Sequence, residues 1–172
     1  MRRIITLALA LVCWTTAANA QSPQSFQWTA SVVVAPFLSC AVTKNIEYGT
    51  HFRTAGVLST DLSNFAQLNC QSDPGNIVDV SFTLPSVLTK AGGGSVPISY
   101  GANSAKFSDG TLLPFNPAAG LSGHTISSSD GSFALLLGFT GIVGNDEAVT
   151  INVGSAPSGS YSGTITTTIA VR

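Results

Sequence analysis

The sequence predicts an all-β protein folded as a single β-sandwich, and three observations carry that prediction. Apolar and polar residues alternate with the period of two that a half-buried strand requires, in segment after segment. Clusters of Gly, Pro, Asn, Asp and Ser punctuate these segments at short intervals. No window holds the 3.6-residue apolar stripe of an amphipathic helix. Eight to ten short strands with turn signals between them pack as two layers of sheet.

The chain has 172 residues. Met1 to Ala20 reads as an export signal: Arg2 and Arg3 lead, an apolar run from Ile4 to Trp14 follows, and Ala18-Asn19-Ala20 is an A-x-A cleavage site. The run is too short for a permanent membrane helix. Cys13 follows Val12 where lipoprotein processing wants a small residue. The predicted organisation is a signal peptide over 1–20, an N-terminal extension over 21–36 and one β-domain over 37–172.

Immediately after the leader, Phe26, Trp28, Ala30, Val32 and Val34 alternate with Gln27, Thr29, Ser31 and Val33. This is a strand with one apolar face, and such a face needs a sheet edge, in its own domain or a neighbour's. Pro36 separates it from a second strand, Phe37 to Val42, which places Cys40 and Val42 on one face. A short strand follows at Asn45 to Tyr48, closed by Gly49. Ser63 to Cys70 alternates with Ala66, Leu68 and Cys70 inward. Cys40 and Cys70 are the two cysteines left after processing, and an even count in an exported chain predicts a disulfide between neighbouring strands.

Asp73-Pro74-Gly75-Asn76 is a turn. Val78, Val80, Phe82 and Leu84 then face one way, against Asp79, Ser81 and Thr83. Val96, Ile98 and Tyr100 form another strand, where Pro97 predicts an edge or a strand start. Ala102 to Gly131 is the least regular region, with one or two short strands expected among long loops. Phe133 to Phe139 contains three consecutive leucines and is expected to be buried on both faces. Val149, Ile151 and Val153 alternate next. The last strand is Tyr161 to Val171, with Tyr161, Ile165, Ile169 and Val171 on one face, Gly163 and Thr167 in register, and Thr164, Thr166 and Thr168 on the other. The domain is expected to end on this strand, with nothing after it to cover that edge.

Charge narrows the function classes. Without the leader, five basic residues face eight acidic ones, and charged residues are 9% of the chain. No basic patch exists to hold nucleic acid or anionic lipid. The residues also offer little chemistry. Gly120-Leu121-Ser122-Gly123-His124 lacks the G-x-S-x-G spacing of a nucleophile elbow, and His124 and His51 read as solvated turn residues. Asp73, Asp109, Asp130 and Asp146 read as turn caps, and Asp79 as a solvated strand residue. Asp146-Glu147, as strand neighbours, point to opposite faces and make no acid/base pair. Neither histidine has metal-ligand spacing to a cysteine. Gly92-Gly93-Gly94 lacks the lysine and helix of a phosphate cradle. No enzyme, cofactor or metal site is predicted.

The leader, the Phe26–Val34 segment and a series of short motifs resemble the pilin-like subunits of archaic chaperone–usher systems. That group includes the spore coat protein U-like family and related bacterial pilin-like β domains of unknown function. The motifs are Cys40-Ala41-Val42; Ile46-Glu47-Tyr48-Gly49-Thr50; Leu68-Asn69-Cys70; Val80-Ser81-Phe82-Thr83-Leu84-Pro85; and the closing run from Gly159 to Ile169. Two stretches depart from the family: Ala102 to Gly131 matches no motif, and Val171-Arg172 stands where an aromatic ending is usual.

The resemblance implies an immunoglobulin-like sandwich missing its final strand. In that scheme Tyr161, Ile165, Ile169 and Val171 belong to the acceptor strand. Phe26, Trp28, Ala30, Val32 and Val34 are the plugs of a donor strand that fills the next subunit's groove. The implied partners are a periplasmic chaperone, an outer-membrane usher and neighbouring subunits in a head-to-tail surface fibre. The alternative is a sandwich whose own N-terminal segment closes its groove, giving a monomeric secreted adhesin or glycan-binding module.

Overall fold

A computed structural model describes Thr29, Ser31 and residues 36–141 and 146–172. The leader and the expected donor residues Phe26, Trp28, Ala30, Val32 and Val34 lie outside the described residues. Thr29 and Ser31 are exposed and belong to no strand. The described chain is all-β: twelve strands in three antiparallel sheets, one single-turn 3-10 helix at Arg53–Ala55, and no α-helix.

The first sheet has five strands. In spatial order they are β1 (Leu38–Lys44), β3 (Ala66–Ser72), β10 (Ser132–Leu137), β7 (Ala105–Ser108) and β8 (Leu112–Phe115). The second has four: β2 (Val57–Ser59), β11 (Val149–Asn152), β6 (Ser95–Tyr100) and β5 (Val87–Thr89). The third has three: β12 (Thr166–Val171), β4 (Ile77–Thr83) and β9 (Leu121–Thr125).

One core joins them. The five-stranded sheet contributes Phe107, Phe133, Leu135 and Leu137, the four-stranded sheet Val96, Ile98, Val149 and Ile151, and the three-stranded sheet Val78 and Val80. Phe107 stacks on Phe133 at 4.9 Å between ring centroids, and Phe82 meets Phe115 at 6.1 Å, linking the third sheet to the first. The expected disulfide is present: Cys40 is opposite Cys70 in the β1–β3 ladder and bonded to it, with 4.1 Å between α-carbons.

Several expectations are corrected. Asn45 to Tyr48 forms no strand. Its Ile46 and Tyr48 nevertheless pack on the core, because alternation marks burial whether or not a partner strand is present. Ala102 to Gly131 holds three strands, β7, β8 and β9, whose shortness hides their period. The run Leu135-Leu136-Leu137 is fully buried on one face only. Leu136 lies on the other face, half-buried, and is opposite Gln67 and Lys106.

Pro97 sits inside β6, between β11 and β5, yet costs no ladder bond. The Ile98 N–H points to the β5 side, toward Ser86 O at 3.1 Å, so position 97 faces β11, whose pairing with β6 ends at Ile151–Ile98. Gly131 shows why some turn glycines are obligatory. Its φ is +74°, and a Cβ there would lie 1.9 Å from the Ser72 carbonyl oxygen.

Candidate functional site: a groove between two unpaired strand edges

The turn from β3 to β4 places two strand edges beside one gap. Ser72, at the end of β3, pairs with Leu38 at the start of β1. Ile77, at the start of β4, exchanges two 2.9 Å main-chain hydrogen bonds with Arg172, just past β12. So β1 leaves this end of the molecule and β12 arrives at it. Among the described residues β1 pairs only with β3, and β12 only with β4. Away from the turn the space between them opens into a groove of about 1430 Å³.

Antiparallel alternation shows what each edge offers. Because Arg172 and Ile77 form a hydrogen-bonded pair, Ala170, Thr168 and Thr166 also turn their main-chain groups toward β4. The N–H and C=O groups of Thr167, Ile169 and Val171 therefore face the gap. On β1, the 4.1 Å Cα spacing of Cys40 and Cys70 marks a non-hydrogen-bonded pair. The Cys40 main chain therefore also faces the gap.

The groove floor is apolar and comes from all three sheets: Leu68 and Leu135 from the first, Ile98 and Ile151 from the second, and Phe82 from the third. Val42, on the groove side of β1, is 67% exposed, and Phe52 at the mouth is 86% exposed. An apolar trough bordered by Val42 and Lys44 of β1 and Thr167 of β12, strands whose outer edges have no partner among the described residues, has the form of a place for an added strand.

Two polypeptide lips border the trough. Residues 45–52 form one. There Tyr48 donates from its hydroxyl to the Val149 carbonyl at 2.8 Å, and burial pushes its phenol well above the usual range. The His51 ring contacts the Tyr48 carbonyl. The other lip is 156–165, where the Tyr161 hydroxyl donates to Pro157 O at 2.7 Å and Lys90 Nζ to Ser158 O at 2.9 Å. Outside the groove, at the end of β6, Tyr100 donates to Pro85 O at 3.2 Å, and burial raises its phenol to about 12. Of the expected acceptor residues, Tyr161, Ile165, Ile169 and Val171 are all half-buried and pack on the core.

Elsewhere, two polar clusters escaped the sequence reading. Lys106, on β7, is fully buried, with Nζ 3.4 Å from Glu147 Oε1. It also donates to the carbonyls of Asn103 and Phe139, and Glu147 accepts from the Gly141 N–H. Burial lowers the Lys106 ammonium pKa, against the pull of Glu147. Asp146 and Glu147 precede β11 in a turn, Asp146 with φ of 73°, so they are not strand neighbours. The only signal for the pair was a lysine set between Ala105 and Phe107.

His124 is likewise not a solvated turn residue. It lies on β9, edge-on to Phe107 at 4.5 Å, with Nε2 3.3 Å from Asp109 Oδ2. Asp109 also accepts from the Ser127 N–H and hydroxyl, at 2.8 and 2.7 Å, so it caps residues far along the chain rather than its own turn. Burial pushes the Asp109 carboxyl up, but those bonds and His124 outweigh it, and its pKa falls below the usual range. The serine hydroxyl is spent on the carboxylate and not on the imidazole, so the cluster clamps two sheets without arming a nucleophile. Asp79 is not simply solvated: it accepts from the Ser122 hydroxyl and the Gly123 N–H, both at 2.7 Å.

Compared with protein-family models, curated proteins and solved structures, the chain finds no match in any of the three.

Proposed function

We propose that this chain is a structural subunit of a secreted surface fibre, built by strand addition between copies on an immunoglobulin-like sandwich that lacks one strand. The observation that carries the reading is the groove between β1 and β12: an apolar floor flanked by two strand edges that have no partner among the described residues. The chain also carries a suitable occupant, the alternating segment Phe26–Val34. Fully burying its large side chains contributes roughly 1.5–3 kcal/mol each, before ordering costs. Main-chain pairing adds directionality.

The local sequence supports a donor from a second copy over closure by the chain's own segment. Between Val34 and Leu38, where β1 begins, lie Ala35, Pro36 and Phe37. Pro36 restricts Ala35 to extended conformations and so separates the segment from the strand that follows. Between copies the contact is head-to-tail, and an open chain of subunits results. An exposed groove aggregates, so this reading requires the transient cover of a periplasmic chaperone and delivery through an outer-membrane usher. The product then lies on the cell surface.

The test is assembly of the mature chain and of its Trp28→Asp variant, each measured by size and by resistance to dissociation in detergent. The expected result is a ladder of oligomers for the first and monomer for the second, with assembly blocked by a synthetic Phe26–Val34 peptide. A stable monomer that ignores the peptide would end the fibre reading. If that monomer unfolds on Trp28→Asp, the self-closed adhesin takes its place.

A further inference from the structure

The free edge beside the groove is longer than β12 itself. β12 has six residues, Thr166–Val171, whereas the proposed donor Phe26–Val34 has nine and would overrun it by about one and a half strand repeats. Upstream of β12, Ser162 exchanges two 2.9 Å main-chain hydrogen bonds with Thr89 of β5. Ser162 has the same parity as Thr166, Thr168, Ala170 and Arg172, which turn toward β4. Gly163 and Ile165 therefore fall in register with Thr167, Ile169 and Val171, their main-chain groups toward the gap.

Side-chain direction agrees. Ile165, Thr167, Ile169 and Val171 are half-buried and the residues between them exposed; upstream, Tyr161 is half-buried, and Gly163, which has no side chain, is exposed. A Cβ on Gly163 would point at the Leu88 side chain, 2.8 Å away on the groove floor. So the direction of the chain at Gly163 continues the register of Ile165 to Val171 although the strand is formally interrupted.

Resting on the strand-addition reading, we infer that the acceptor edge runs from Gly163 to Val171 and that its occupant is the nine-residue Phe26–Val34 segment of a second copy. Five inward positions, 163, 165, 167, 169 and 171, meet five plugs, 26, 28, 30, 32 and 34. The first part of this edge is held by β5 of the four-stranded sheet, and the rest by β4 of the three-stranded sheet. The occupant thus spans a seam between two sheets and ties them together, and Thr164 is the joint.

The experiment measures amide hydrogen exchange on the mature chain carrying Phe26→Asp and Trp28→Asp, which disables its own donor, with and without the synthetic nine-residue peptide. Slowed exchange at Gly163 and Ile165 together with Thr167, Ile169 and Val171 is the expected result. Protection confined to Thr167, Ile169 and Val171 overturns the extended edge and leaves strand addition standing. No protection anywhere overturns both.

A second variant isolates the seam. Thr89→Pro removes the N–H that holds Ser162 and leaves the β5–β6 ladder, whose bonds lie on the other residues. It is expected to weaken peptide binding roughly fivefold and to abolish protection at Gly163 and Ile165 only. Unchanged affinity and unchanged protection in that variant contradict the inference.

Discussion

At the scale of single residues, the largest local stakes lie away from the groove. Lys106 and Glu147 have 0% and 1% exposed side chains, and each neutralises the other. Removing one partner strands a buried charge, which costs about 3–5 kcal/mol, whereas replacing both with apolar groups of similar size is often close to neutral. Lys106→Met is therefore expected to lower stability by about that amount in urea unfolding. Lys106→Met with Glu147→Leu should recover most of the loss, and equal losses in the single and double variants would contradict the pairing.

Asp109 makes a pH prediction. Its folded pKa lies below the ordinary carboxylate value, as do those of Asp61, Asp79 and Asp130, which hydrogen bonds hold down. A depressed folded pKa means stability that is present above about pH 4 and lost as pH falls through the folded value. Unfolding midpoints should hold steady from neutral pH to about pH 5 and drop below about pH 4. Asp109→Asn should cost roughly 1–3 kcal/mol at neutral pH and flatten the acid limb.

At the scale of elements, β1 is the strand most dependent on covalent help. Five of its seven residues are exposed, and among the described strands it has one neighbour. The Cys40–Cys70 bond closes a sequence separation of 30 residues, worth about 3–4 kcal/mol in the chain-entropy account. Cys40→Ser with Cys70→Ser should lose about that much. It should also speed exchange first at the amides of Ser39 and Ala41, which bond to β3. Uniform acceleration across all three sheets would show that β1 is no separate unit.

The same contrast explains what the sequence made legible. β4 and the stretch leading into β12 could be read directly, because each has one buried and one wet face, so burial writes a period of two into their residues. The disulfide could be read because the expected removal of the leader sets Cys13 aside and leaves Cys40 and Cys70. The three- to five-residue strands β2, β5, β7, β8 and β9 are shorter than a pattern needs, and partner strands define them. Lys106, His124 and Asp109 were misread or missed for a related reason. A polar residue is buried by what folds over it, here Phe139 and Glu147 over Lys106 and Ser127 over Asp109, and these partners lie 18 to 41 residues away in sequence.

At the scale of the whole molecule, the groove makes stability depend on what occupies it. A ligand that binds only the folded state adds RT ln(1 + [L]/Kd), about 2.7 kcal/mol at a hundredfold excess over Kd. For a domain of this size that corresponds to an increase in Tm of roughly 5–10 °C. The Phe26–Val34 segment contains no charged residue, and the floor it would meet is Leu68, Phe82, Ile98, Leu135 and Ile151. Association driven by such surfaces gains little from long-range electrostatics, so raising the ionic strength from about 0.02 M to 0.5 M, over which the Debye length shrinks severalfold, should leave it nearly unchanged. The charged groups that line the groove are Lys44, half-buried at the end of β1, and Glu47, exposed on the adjoining lip. A thermal-shift titration of the Trp28→Asp mature chain with the nine-residue peptide, run at both ionic strengths, checks this. The expected curves are saturable and superimposable. A tenfold loss of affinity at high salt would mean that charges at the mouth, and not the apolar trough, do the binding.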